Sequence, residues 1–178
     1  MDSKTIEKAF VSNNKKSRIT NKIEELLNNH IYLELEASQI YLSFAAWAEY
    51  KGYEGLSIFM YKQADEERLH MLKIYKYMLD RDCMPQTPKI ESQSCDCSDL
   101  KDVLEKTLKH ESLVTASYEK SLPISLKLGD NMTYEFLQWF INEQREEEAT
   151  ILNILDKLEI AGNDKLAMYF IDKELKQL

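Results

Sequence analysis

Glycine and proline are scarce, with 4 Gly and 3 Pro in 178 residues, where average usage is roughly 12%. Glycine supplies the positive φ of tight turns and proline stops helices, so a chain poor in both has few turns. A β-sandwich or barrel needs a turn signal about every 8–12 residues, which so few residues do not supply. Gly52, Gly55, Gly129 and Gly162 spell neither G-x-G-x-x-G nor G-x-x-x-x-G-K-[ST], which argues against dinucleotide folds and P-loop enzymes. Cysteine is equally rare. Cys83, Cys95 and Cys97 are an odd count in a long helical chain and read as reduced cytosolic thiols, not a disulfide framework. No run approaches about 18 uncharged apolar residues, and the N-terminus lacks the apolar core of a secretory signal, so no membrane segment is expected. Basic charge is lacking too: the net charge of −8 argues against nucleic acid as a partner.

What is present is long helical pattern. The rare breaks at Gly52/Gly55, Pro85/Pro88, Gly129 and Gly162 divide the chain into helical segments of roughly 20–48, 54–81, 98–127, 131–160 and 164–176. All but the last exceed the 11–12 residue mean by far. The first and third breaks are short, so each joins antiparallel neighbours. The second connection, about 82–97, is long enough to run the length of a bundle and start the third helix beside the beginning of the second. The expected fold is all-α, a four-helix bundle with one long crossover connection and a short fifth C-terminal helix. Pro123 falls inside the third segment and is expected to kink it or end it early. Residues 1–18, with five basic against two acidic side chains, read as a separate basic arm, docked or mobile. A transit peptide is the alternative reading, so organellar targeting stays open beside a cytoplasmic location. Residues 19–178 form the expected domain.

Each helix carries an apolar stripe at the 3.6-residue period. The stripes run through Ile23, Leu27, Ile31, Tyr41 and Ala45; Leu56, Met60 and Ile74; Leu104, Val114 and Tyr118; Leu137, Phe140, Ile151 and Leu158. Every stripe is broken near its middle by a carboxylate: Glu34, Glu67, Glu111 and Glu147. His70 follows Glu67 at i+3, on the same face. A buried, isolated carboxylate costs several kcal/mol, and converging ones repel. Such residues are therefore protonated, displaced to the surface, or gathered around cations. Four carboxylates match the charge of two divalent ions. Carboxylate and imidazole donors with little sulfur suit iron or manganese better than zinc. Glu66, Glu143 and Glu146 fall on the edge beside this stripe, either as a solvated face or as a third, more exposed cation site.

At these residues the sequence resembles the prokaryotic-type haem-free ferritins. The likeness covers about residues 20–178. It rests on Leu33-Glu34 with Tyr41, on Glu66-Glu67-Arg68-Leu69-His70-Met71, and on Phe136-Leu137-Gln138-Trp139 followed by Glu143-Gln144 and Glu146-Glu147-Glu148. The tail Tyr169-Phe170-Ile171-Asp172-Lys173-Glu174-Leu175 belongs to the same pattern. The resemblance implies the ferritin-like bundle and a homo-oligomeric shell of twenty-four subunits. It also implies a ferroxidase that oxidises Fe(II) with O2 or H2O2 and stores ferric mineral. It implies that Glu34, Glu67 and His70 bind one iron, that Glu67 bridges, and that Glu111 and Glu147 bind the second. Glu66, Glu143, Glu146 and Glu147 match a third iron site. Tyr41 matches a tyrosine beside the centre, either as an electron donor or as a hydrogen-bonded core aromatic, and Gln144 a residue near the second iron that hydrogen-bonds a ligand or a metal-bound oxygen.

Departures from related patterns narrow the reading. Bacterioferritins carry a second Glu-x-x-His in the fourth helix, where this chain has Gln144-x-x-Glu147, and a haem-binding Met where it has Arg68. No haem is therefore expected. A rubrerythrin-like di-iron oxidase or peroxidase without mineral storage is the alternative, against which stands the missing C-x-x-C module. Cys95 and Cys97 read as loop thiols, since C-x-C supplies only half a tetrahedral metal site. His110 points about 100° away from Glu111, toward solvent or a neighbouring helix. His30, at i−4 from Glu34, reads as solvent-side or hydrogen-bonded, with an auxiliary metal contact as the alternative.

Overall fold

The computed structural model describes residues 17–178. The expected N-terminal arm lies outside the described residues except for Ser17 and Arg18. Five α-helices follow: α1 Asn21–Lys51, α2 Glu54–Asp80, α3 Leu100–Lys127, α4 Asn131–Ala161 and α5 Lys165–Leu175. Among the described residues there is no strand, and no helix is long and apolar enough to cross a membrane.

Local chemistry explains where each helix starts. Thr20, Asp99, Asp130 and Asp164 each accept a hydrogen bond from a backbone N–H in the first turn of α1, α3, α4 and α5, which satisfies donors that the helix itself leaves orphaned. Gly52 ends α1 in the left-handed region at φ 87°, a conformation that costs glycine nothing. The start of α2 has no such local cap, since Tyr53 makes no side-chain capping bond. Asp172 of α5 supplies it: its carboxylate accepts from Gly55 N at 3.1 Å and Leu56 N at 3.0 Å. The approach is so close that a Cβ on Gly55 would lie 1.5 Å from the Asp172 carbonyl oxygen. Lys173 and Lys176 complete the junction on Glu54. The tail is thus tied to the bundle by the buried Asp172 carboxylate together with Ile171 and Leu175, which pack into the apolar core.

Neighbours in the bundle run antiparallel. Ser38 of α1 meets Ala64 of α2, His30 of α1 meets Ser121 of α3, and Tyr77 of α2 meets Thr133 of α4. The crossover spans the bundle from end to end. It leaves beside Met78, where Cys83 N bonds the Met78 carbonyl, passes Asn28, which accepts from Gln86 N, and arrives with Cys95 and Cys97 packed on the apolar cluster around Ala48, Leu56 and Leu100.

Two expectations need correction. Cys95 and Cys97, expected as separate reduced thiols, are paired as a disulfide with Cα atoms 5.5 Å apart. Cys83 is free and buried. Pro123 does not end α3, which continues to Lys127. The carbonyl it leaves without an i+4 donor is that of Glu119, an exposed residue, where losing a helical hydrogen bond costs less than in the core.

The apolar core is not continuous. One cluster includes Tyr41, Phe44, Leu56, Met60, Leu104, Ile151 and Leu158, the other Ile23, Leu27, Ile31, Ile74, Tyr118, Leu137 and Phe140. The gap falls at mid-length in all four long helices: between Ile31 and Ala37, Ala64 and Met71, Leu104 and Val114, and Phe140 and Ile151. Asp172→Ala is expected to cost about 1–2 kcal/mol, the worth of a helix cap, and to loosen the junction of α5 with the start of α2. Urea denaturation with fluorescence from Trp47 measures it. An unchanged midpoint contradicts this account of the tail.

Candidate metal centre

The gap in the core is filled by polar side chains, one layer deep. α1 contributes Glu34, α2 Glu67 and His70, α3 Glu111, and α4 Gln144 and Glu147. All are buried except Glu147, which is half-buried. The displacement of these carboxylates to the surface, one of the readings open from sequence, does not occur. His70 Nδ1 lies 3.3 Å from Glu67, 3.6 Å from Glu34 and 3.9 Å from Glu147. Glu34, Glu67 and His70 form one group with donor atoms within 4.8 Å of one another; Glu67, Glu111 and Glu147 form a second. Glu67 belongs to both.

Two tyrosines bracket the layer from the apolar side. Tyr41 donates to Glu111 and Tyr118 donates to Glu34. Gln144 Nε2 donates to Glu111 Oε2 at 2.7 Å. Even so, Glu34 Oε2, Glu67 Oε1, His70 Nδ1, Gln144 Oε1 and Glu147 Oε2 are buried without a hydrogen-bond partner. Buried polar groups are nearly always satisfied, and orphaned carboxylate and imidazole atoms within two such donor groups describe candidate sites for cations.

The profile of the Ferritin family, a ferritin-like domain, matches residues 24–161. The chain belongs to the ferritin family. It is 37% identical over 154 residues to a bacterial non-heme ferritin of Escherichia coli O157:H7, covering 86% of this chain and 93% of that one. A probable bacterial non-heme ferritin-like protein of Haemophilus influenzae is 34% identical over 160 residues, or 90% of this chain and 97% of the relative. Among solved structures, the open-pore ferritin of Archaeoglobus fulgidus superimposes with a TM-score of 0.87 at 33% identity, covering 90% of this chain and 99% of that one.

In this ferritin the candidate residues of the exposed edge lie together as well. Glu66, Glu143, Glu146 and Glu147 line one open groove of about 760 Å³ with His70 and Trp139 at its wall. Glu66 and Glu146 are exposed, Glu143 half-buried, and Gln63 donates to Glu66. The groove therefore leads from solvent to the half-buried Glu147.

Tyr118 was missed as a site residue from sequence. It reads there as an ordinary member of the α3 stripe, because its partner Glu34 is on another helix. His30 is fully buried and bonds Ser121 at 2.8 Å. The Ser121 hydroxyl proton goes to the Ser117 carbonyl, so His30 Nε2 is the donor. His110 turns to α1, its ring edge-on to Tyr41 with centroids 5.8 Å apart.

The charges in the layer divide unequally. Burial disfavours a charged His70, but the close carboxylate of Glu34, 3.6 Å away, outweighs it and holds the imidazole above its usual value. Burial likewise opposes ionisation of Glu34, and the His70 contact overcomes it, holding this carboxyl low. Burial pushes Glu67 well above the carboxylate range, with the charges of Glu111, Glu34 and Glu147 adding to it. Burial and the neighbouring Glu111 and Glu34 push Glu147 up to about 9. Glu111 is raised by burial against the donors Tyr41 and Gln144. Burial drives His30 down to about 4, leaving it neutral.

Without metal, Glu67, Glu111 and Glu147 therefore bind protons that the unfolded chain releases above about pH 4.5. At these carboxyls the folded state then holds more protons than the unfolded one, which lowers stability as pH rises above about 5, whereas burial of neutral His30 and His110 acts oppositely until pH passes the unfolded imidazole value of about 6.5. The His70 contribution, present below its unfolded value, is lost in the same direction. Glu34 acts oppositely, but its gain is complete once pH exceeds the unfolded carboxylate value. In chelator-treated protein the thermal midpoint is expected to fall between about pH 7, above the unfolded histidine value, and pH 9, and less steeply in Glu147→Gln. A midpoint that climbs toward pH 8 contradicts this charge distribution.

Proposed function

We propose that the chain is an iron-storage protein that oxidises Fe(II) at a dinuclear centre and holds the ferric product inside a hollow homo-oligomeric shell. Membership in the ferritin family and the bundle fold support the storage role. The oxidation reading is carried by one observation: two donor groups share Glu67, and their orphaned atoms face each other in an otherwise apolar core. In this reading Glu34, Glu67 and His70 receive one Fe(II), and Glu67, Glu111 and Glu147 the other. The four carboxylates then neutralise two divalent ions in a site where neither set of charges is stable alone.

Hard anionic oxygen donors favour Fe(III) over Fe(II), which lowers the potential and drives electron loss. Two Fe(II) supply two electrons, which with two protons reduce O2 to H2O2, or reduce H2O2 to water. Displacement of the protons on Glu67, Glu111 and Glu147 by arriving Fe(II) delivers protons at the site. Tyr41, donating to Glu111, and Gln144, donating to the same carboxylate, hold it in the orientation the second iron needs. Glu66, Glu143 and Glu146, with Glu147, form the third and more exposed iron site in the groove that opens on His70. The net charge of −8 per chain gives an assembled shell a field that draws cations in.

The shell reading has its own support. Ile160 is 88% exposed and Tyr50 87%, and α5 leaves Leu166, Tyr169 and Phe170 exposed, apolar side chains that contacts between subunits would cover. We assign twenty-four subunits to the shell. Size-exclusion chromatography with light scattering is expected to give a mass far above the 20.9 kDa chain; a monomer or dimer excludes storage in a shell. Glu67→Ala with His70→Ala is expected to slow Fe(II)-dependent oxygen uptake by more than about 100-fold, beyond the 10–100-fold effect of losing an outer partner, while the assembled mass is unchanged. Undiminished uptake in that variant sinks the assignment of the centre.

A further inference from the structure

Of the donor residues, Glu34 is the one held from a direction that the ligand pattern does not account for. Tyr118 donates its hydroxyl to Glu34 Oε1, while Oε2, 3.6 Å from His70 Nδ1, has no hydrogen-bond partner. Tyr118 is itself fully buried. The His30 ring lies parallel to it at 4.0 Å, with 3° between the planes, and Phe140 stacks on it at 4.8 Å and 13°. His30 is anchored in turn by Ser121. The phenol therefore cannot swing, and its hydroxyl meets Glu34 at one fixed place.

We propose that Tyr118, locked by His30 and Phe140, is a positioning residue that presents a single oxygen of Glu34 to the metal shared with Glu67 and His70. The physical reason is geometric. A carboxylate on a flexible glutamate arm has three torsions and two equivalent oxygens, and binding a cation must order all of them. A donor fixed on Oε1 removes the choice of oxygen before the metal arrives and orients the remaining lone pairs, the part that outer partners play around metal ligands generally. Tyr41 does the corresponding task on Glu111, at the other donor group, but there Gln144 shares the load. From outside the two donor groups, Tyr118 is the one side chain among the described residues that donates a hydrogen bond to Glu34. The two donor groups thus have separate supports, and the two tyrosines act on different metals.

The inference rests on the reading of both groups as metal-binding, and a redox-silent ion tests it without any turnover. Crystals of the full chain are equilibrated with Zn(II) at graded concentrations, and anomalous maps at the zinc edge give occupancy at each group. Native protein is expected to fill both. Tyr118→Phe keeps the stacked ring and removes only the hydroxyl. It is expected to weaken zinc at Glu34, Glu67 and His70 by about 10–100-fold, leaving the Glu67, Glu111 and Glu147 group filled. Tyr41→Phe is expected to do the reverse. His30→Phe, which keeps a ring beside Tyr118 without the anchor on Ser121, is expected to give a smaller loss at the Glu34 group only. No loss in Tyr118→Phe, or equal loss at both groups, overturns the inference while the metal reading stands. Zinc at neither group in native crystals overturns both.

Discussion

The structure is organised around one electrostatic problem: four glutamates and a histidine occupy the middle of a bundle whose remaining interior is apolar. Their charge is not tolerable there without protons or cations. The two apolar clusters above and below are what keep the layer in place. Neither cluster alone spans the bundle, and each clamps the helices on its own side. The polar layer is therefore a seam between two packed halves, and side chains in it cannot escape to water without separating helices that are closed at both ends.

This arrangement explains why the outer partners matter as much as the carboxylates. Tyr41 and Tyr118 belong by their rings to different apolar clusters and by their hydroxyls to the polar layer. Each ring is held by packing, so each hydroxyl is a donor in a fixed position. The tyrosines thus carry the rigidity of the apolar halves into the site. The opposite side of the layer is open: Glu147 is half-buried and the acidic groove lies beyond it. The candidate site is thus packed on the core side and open on the groove side.

The ends of the bundle obey a different logic. α2 lacks a local cap and borrows Asp172 from α5, which makes the short tail part of the bundle's framework. At the opposite end Arg81 pairs with Asp130, the cap of α4, at 3.2 Å, and also bonds the Arg18 carbonyl. Caps that reach across elements tie helix starts to tertiary packing, so the register of one helix depends on its neighbour.

The helices, their order and the crossover were legible in the sequence because period and punctuation are local properties. Few glycines and prolines mark the seams, and Glu34, Glu67, Glu111 and Glu147 interrupt their stripes at matching depth. The helix-two pair Glu67 and His70 was legible for the same reason, since i+3 spacing is set within one helix. What the chain order alone could not reveal is what depends on angles between helices. Tyr118 looks like any core aromatic until α1 and α3 are packed, and Asp172 looks like a surface acid until α5 docks on Gly55. The Cys95–Cys97 pairing depends on how the crossover turns, and the passage of α3 through Pro123 on which face Glu119 occupies. The amino-acid sequence by itself determined the fold class and the residues that meet at mid-bundle, because helical periodicity places them. Only the tertiary structure decided which hydroxyl holds which carboxylate, because those bonds cross between helices.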